Sequence, residues 1–244
     1  MTEARPPFLF EDFSLALEEL RAALAERRRY VLLTGESGCG KTTLLREISR
    51  TVEEGRVRLF YFNLARLSPA GLVRVLARSL RAHIGYTCSE TVRAVTEVLF
   101  EEKCHALVVA DEAQMLPDDT FAGLRTLAED DLSGRLPITV LFAGLAELEE
   151  RLKGAVLFPL WRRIPVRLRI GGLRDHEMRP LLAWHTGEPD AARFPDETLS
   201  LLFERGRGLP GLVLPAVDLL LRRIREGLVR PEAALDLLDR FDRP

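Results

Sequence analysis

The sequence predicts an α/β protein in which a parallel five-stranded sheet carries helices on both faces and a small all-helical domain follows. Three observations lead there. Short apolar runs rich in β-branched and aromatic residues alternate with amphipathic stretches as far as residue 170. One of those runs enters a glycine-rich turn and leaves as a helix. Beyond the pair Gly171-Gly172 only helical periodicity remains, so the expected domains are 1–170 and 171–244.

In chain order, Pro6-Pro7 marks an irregular lead-in, and residues 12–29 place Phe13, Leu17, Leu20 and Leu24 at helical spacing among charges. Tyr30, Val31, Leu32 and Leu33 have the length and character of a buried strand, and the helix after the glycine-rich turn is expected to run to about Val52. Residues 56–63 read as a second strand. Ser68-Pro69 opens a helix to about His83, and residues 89–100 form another. A third strand, 105–110, ends in Asp111-Glu112. Residues 117–131 are helical up to Ser133-Gly134. A fourth strand at 138–143, a charged helix at 146–153, a turn around 158–163 and a fifth strand at 165–170 complete the first domain. The second is read as helices at 175–186, 196–204, 210–225 and 232–240.

A chain of 244 residues that is 47% hydrophobic can bury one substantial core. No apolar run approaches the roughly 20 residues of a membrane span, and the start lacks a cationic-then-apolar leader, so no membrane partner and a cytoplasmic location are expected. Cys39, Cys88 and Cys104 are odd in number and lack CxxC spacing, which argues against a disulfide framework or a zinc site. The net charge of −2 gives no global case for nucleic acid. The four histidines lack metal-ligand spacing, and Trp161 and Trp184 read as packing residues.

The chemistry lies in the glycine-rich turn. Gly35-Glu36-Ser37-Gly38-Cys39-Gly40-Lys41-Thr42 fits GxxxxGK[ST], with Thr43 completing the phosphate-binding set. The glycines let backbone N–H groups and a helix N-terminus approach an anion. Lys41 reaches the β- and γ-phosphates of ATP, and the Thr42 hydroxyl enters the shell of a Mg²⁺ ion. Leu107 to Ala110 deliver Asp111 and Glu112 to the carboxyl edge of the sheet, where ligands bind. Asp111 is expected to hold Mg²⁺ through water, and Glu112 to orient or deprotonate the attacking water. Gln114 contacts the γ-phosphate side or solvates the surface.

The stretches TGESGCGKTTLLR, VVADEAQML, GLRTLAEDD, ITVLFAGLAELEERL and LWRRIPVRLR, in this order, resemble the ExeA-type AAA+ ATPases from about Phe8 to Leu220. Within that group the chain looks like the short stand-alone helper ATPases of bacterial transposition, of the MuB, IstB and TniB type. The resemblance implies a P-loop NTPase of AAA+ type with a C-terminal helical lid, and Gly35 to Thr42 as Walker A with Asp111 and Glu112 as Walker B. It also implies Arg163 as an arginine finger reaching the neighbouring subunit, with Arg162 as a substitute. Two positions depart from the family pattern. Leu145 stands where a polar sensor follows the fourth strand, and Gly211 replaces the lid's sensor arginine, so slow turnover, stable ATP-bound assemblies or a greater dependence on Arg163 and Gln114 are expected.

Two acid-free stretches are candidate polyanion surfaces. Between Gly55 and Ser89 lie Arg56, Arg58, Arg66, Arg74, Arg78 and Arg81, with the last three on one helical face. Between Arg151 and Arg174 lie Lys153, Arg162, Arg163, Arg167 and Arg169, which fit an intersubunit face or DNA. Acids including Asp118, Asp119, Glu129, Asp130 and Asp131 gather between Glu97 and Glu150, so head-to-tail self-assembly into a ring or helical filament is plausible. The reading is an ATPase that oligomerises on ATP and binds double-stranded DNA as a transposase helper. The rival is a nucleotide-gated protein-interaction switch without DNA binding. No LSGGQ-like stretch precedes Asp111, which disfavours a transporter ATPase, and too little chain follows Ile170 for a second helicase motor.

Overall fold

The computed structural model describes residues 5–52, 57–63, 68–129 and 137–225. Arg56, Arg66, Asp130, Asp131 and the helix expected at 232–240 lie outside the described residues. By contacts the chain divides into two compact units, Ala16–Gly35 with Leu44–Arg169, and Met1–Leu15 with Glu36–Thr43 and Ile170–Pro244.

The first unit holds the sheet. Strands β1 (Tyr30–Gly35), β2 (Val57–Asn63), β3 (His105–Asp111), β4 (Ile138–Gly144) and β5 (Val166–Ile170) lie in the order β2-β3-β4-β1-β5. The pairings β2 with β3, β3 with β4 and β4 with β1 are all parallel, with Asn63 opposite Asp111, Val108 opposite Val140 and Thr34 opposite Gly144. Every residue of β1, β3 and β4 is buried, as expected of central strands covered on both faces. Alternate strand residues such as Leu32, Val108 and Phe142 join one core with Leu72 and Leu76 of α3 (Pro69–Leu80), Val95 and Leu99 of α4 (Cys88–Glu101) and Phe121 and Leu124 of α5 (Asp118–Glu129).

Local chemistry sets the element ends. The helix α1 (Glu11–Ala25) stops short of Arg29 because Arg27 turns left-handed at φ 52°. Ser68 caps α3 through the Gly71 amide, and Arg81, left-handed at φ 55°, ends it before His83. Thr87 and Glu90 form a capping box on α4. The expected turn near 158–163 contains a short helix, α7 (Phe158–Trp161), after α6 (Ala146–Lys153). The Arg167 guanidinium lies 3.5 Å from the centre of the Trp161 ring and donates to the Ile164 and Trp161 carbonyls.

The second unit contains the glycine-rich loop 36–43 and the helical lid. Between α1 and the loop, β1 ends at Gly35, and α2 (Lys41–Val52) follows. The lid helices are α8 (Met178–Thr186), α9 (Glu188–Ala191), α10 (Asp196–Gly206) and α11 (Pro210–Arg225). Residues 175–177 form a 3-10 turn rather than the first turn of α8, and α9 was not expected. The glycine pair is packed: the Gly171 amide donates to Asp12 Oδ2 at 3.1 Å, and a Cβ on Gly172 would sit 2.8 Å from the Arg207 carbonyl oxygen. Trp184 lies 6.1 Å from the Phe8 ring, with Arg5 over its face at 4.6 Å. Among the described residues no helix is long and apolar enough to cross a membrane.

Candidate functional site

Parallel pairing brings Gly35, Asp111 and Gly144 to one edge of the sheet, at the carboxyl ends of β1, β3 and β4. At that edge Asp111 is 4% exposed, and both its oxygens are in use. Oδ1 accepts the Glu112 amide at 2.9 Å, and Oδ2 accepts the Tyr61 hydroxyl from β2. Burial, reinforced by the bond to Asp111, pushes the Tyr61 phenol up to about 12, so the hydroxyl is the donor. Tyr61 was missed in the sequence. Its signal was strand register, since Tyr61 lies two residues before Asn63, which pairs with Asp111.

Glu112 is exposed and adopts φ 50°, a left-handed backbone uncommon for a residue with a side chain. Its Oε2 accepts Gln114 Nε2 at 2.6 Å, and Gln114 Oε1 accepts the Leu145 amide at 3.2 Å. The orientation of the amide follows from a carboxylate on one side and an N–H on the other. Arg151 donates to the Gln114 carbonyl at 2.8 Å and pairs with Asp118. Gly144 makes room for this bridge, because a Cβ there would lie 2.4 Å from Gln114 Oε1. Leu145 therefore takes part through its backbone, where its side chain has nothing to offer.

In the loop, Gly38 at φ 82° and Gly40 at φ 111° use backbone forbidden to most residues. Lys41 is 7% exposed, and its Nζ donates to the Glu36 carbonyl at 2.9 Å. Cys39 is fully buried; desolvation raises its thiol pKa against the opposing charge of Lys41, so it behaves as a small apolar residue. Ser37, Thr42 and Thr43 are exposed at the loop and the first turn of α2. A loop of this shape, ending in a lysine and a helix N-terminus, accepts a polyanion. Thr42 in the unit of the loop and Asp111 in the unit of the sheet each carry a hard oxygen donor of the kind Mg²⁺ takes. No cluster of three metal-binding side chains occurs among the described residues.

Arg163 is half exposed and held in its own chain, with Nε 3.3 Å from Glu129 Oε1 and Nη1 donating to the Pro159 carbonyl. Glu129 also accepts the Tyr30 hydroxyl at 3.0 Å and lies near Arg125. The second arginine stretch is partly neutralised: Lys153 pairs along its own helix with Glu149 and Glu150, while Arg163 meets Glu129 and Arg174 meets Glu11 and Asp12 from distant parts of the chain. In the first stretch Arg58 pairs with Glu102 at 2.8 Å. Arg74, Arg78 and Arg81 are exposed and make no ion pair among the described residues, while Leu72, Val73, Leu76 and Leu80 of the same helix are buried.

Comparison with known proteins gives the context for these sites. A family model described as an AAA domain matches residues 24–152. No curated protein matches the sequence. Among solved structures, the chain superposes on the Aeropyrum pernix ORC2 protein in its ADPNP–ADP complexes with a TM-score of 0.71 at 16% identity, covering 98% of this chain and 70% of that one. Cdc6p from Pyrobaculum aerophilum gives a TM-score of 0.68 at 17% identity over 93% of this chain and 65% of that chain. The Aeropyrum pernix ORC1 protein in complex with DNA gives 0.64 at 19% identity over 99% and 68%. The chain thus spans about two thirds of the length of these proteins, and the likeness is one of fold.

Proposed function

Since the chain belongs to the AAA domain family, we propose that it is an ATP-hydrolysing member that self-associates and acts on double-stranded DNA. The observation that carries the hydrolytic part is the bridge from Glu112 through Gln114 to the Leu145 amide. A carboxylate held in a left-handed turn one residue after Asp111 is suited to accept a proton from water as that water attacks the γ-phosphorus. ADP leaves with the electrons of the broken P–O bond. The loop amides from Glu36 to Thr43 and Lys41 would hold the phosphates; Thr42 and Asp111 each offer Mg²⁺ an oxygen donor, and the ion would offset phosphate charge. The Leu145 amide, acting through Gln114, stands in for the polar sensor that the sequence lacks.

Arg163 is the finger in this reading. Its pair with Glu129 has to be exchanged for the neighbour's γ-phosphate on assembly, so hydrolysis depends on protein concentration. The DNA part rests on the arginine face of α3, where three cations meet no carboxylate among the described residues, and on the DNA-bound state of one structural relative. The transposase-helper role rests on the sequence resemblance alone. The rival reading, a protein-interaction switch, draws on the stretch 151–174, where Lys153, Arg163 and Arg174 already hold carboxylates and are less available to a phosphate backbone.

Fluorescence anisotropy of a labelled random-sequence duplex, titrated with protein in ATP, in ADP and without nucleotide at two salt concentrations, tests the reading. Cooperative, ATP-dependent and salt-sensitive binding is expected, weakened by Arg74→Ala with Arg78→Ala. ATP turnover without DNA binding in any state would transfer the arginine face to a protein client.

A further inference from the structure

The unit that contains loop 36–43 carries a charge arrangement that the phosphate chemistry does not explain. Glu36, the first variable residue of the loop, is a carboxylate in a segment shaped to receive a polyanion. Its Oε2 lies 2.9 Å from Arg207 Nη2, and the side chains are 55% and 65% exposed. Arg207 ends α10 in a left-handed turn at φ 50°, followed by Gly208 at φ 65°. Four residues on, the Gly211 amide donates to the Gly38 carbonyl at 2.9 Å. The approach is close: a Cβ on Gly211 would lie 2.6 Å from Gly38 Cα, and one on Gly38 would lie 3.2 Å from Gly211 Cα. The turn itself is anchored from below, because the Leu173 amide donates to the Gly208 carbonyl and Gly172 allows that contact.

We propose that Arg207 and Glu36 form a latch which neutralises the loop's carboxylate and seats the Gly211 turn on Gly38, making Arg207 the lid's positioning residue for a nucleoside triphosphate. The physical reason is repulsion. An unpaired carboxylate in the loop opposes the arriving phosphates, and the guanidinium removes that opposition while offering donors that phosphate oxygens can share. Gly211 is part of the same device. A side chain at that position meets the loop backbone, so the lid's cation enters from Arg207, on the other side of the turn.

The inference rests on the loop's being a nucleotide site, so its test has one arm that needs no nucleotide. Hydrogen exchange of residues 36–43 is compared in the nucleotide-free full chain and in Arg207→Ala, Glu36→Gln, the double variant and Arg207→Lys. The same proteins are then titrated with fluorescent ATP and ADP analogues. Arg207→Ala speeds exchange of the loop amides and weakens ATP binding by about tenfold, whereas Glu36→Gln tightens it by about threefold. In the Glu36→Gln background, removing Arg207 costs less than about twofold, and Arg207→Lys recovers charge neutralisation but only part of the exchange protection. Unchanged loop exchange in Arg207→Ala overturns the latch. So does an equal loss of ATP affinity on removing Arg207 with and without the Glu36 carboxylate. Failure of the unaltered chain to bind either nucleotide would instead overturn the functional reading, with the exchange arm still deciding the latch.

Discussion

The two ends of β3 place polar groups under opposite conditions. At the carboxyl end, Asp111 meets a hydroxyl and an amide, and the chain then turns left-handed to present an exposed Glu112. At the amino end, His105 is 3% exposed; its Nε2 meets the Thr139 hydroxyl at 2.8 Å, and that hydroxyl donates to the Arg28 carbonyl. Among the described residues His105 Nδ1 has no hydrogen-bond partner. Burial, with the nearby charge of Arg27, holds this imidazole down at about 4 and keeps it neutral at pH 7. One end keeps charge within reach of solvent and ligand. The other seals a titratable group away, and only stability can register its loss.

Substitutions at the carboxyl end are therefore expected to change turnover and leave the melting curve alone. The largest effect is that of Glu112→Gln, with hydrolysis reduced about 100-fold or more while ATP binding persists. Steady-state turnover beside an ATP-binding titration checks it, and turnover above a tenth of the starting value would remove Glu112 from its role. Gln114→Ala releases Glu112 from the Leu145 amide and lowers kcat about thirtyfold with little change in KM. A rise in KM alone would mean that Gln114 binds substrate instead. Tyr61→Phe leaves Asp111 one donor short and raises the Mg²⁺ concentration for half-maximal turnover about tenfold. Binding of Mn²⁺ followed by electron paramagnetic resonance should weaken in parallel.

The amino end sharpens the contrast through pH. The folded His105 value lies below its unfolded value of 6.5, so the unfolded chain takes up a proton that the native one refuses. The contribution is fully present above pH 6.5 and is lost as pH falls toward 4, on the order of 3 kcal/mol. Melting temperatures across that window should drop more steeply in the natural sequence than in His105→Gln, whose turnover at pH 7.5 is unchanged. Equal slopes would show that His105 is not the group responsible.

What could be read in the sequence was whatever neighbouring residues decide among themselves. The glycine loop, Asp111-Glu112 and the strand and helix order depend on spacing within a few residues, and the five strands stand where periodicity put them. The contacts that escaped it join distant parts of the chain within each unit: Tyr61 with Asp111 and Gln114 with Leu145 in the one, and Glu36 with Arg207 in the other. The arginines make the same point from the opposite direction. Two stretches free of local acids looked alike, yet Arg151, Lys153, Arg163 and Arg174 find carboxylates through helix register or tertiary packing, whereas the outer face of α3 finds none among the described residues. The left-handed turns at Arg27 and Arg81 escaped notice because arginine carries no glycine-like signal for positive φ.

The stack of Arg167 on Trp161 also gives the protein an optical address. The chain has two tryptophans, and each unit holds one: a buried Trp161 in the sheet unit, and a half-buried Trp184 beside Phe8 and Arg5 in the unit of the loop and the lid. A Trp161→Phe chain would emit from Trp184 alone, and a Trp184→Phe chain from Trp161 alone. Steady-state emission then becomes two separate gauges, one for each half of the molecule, without any attached dye.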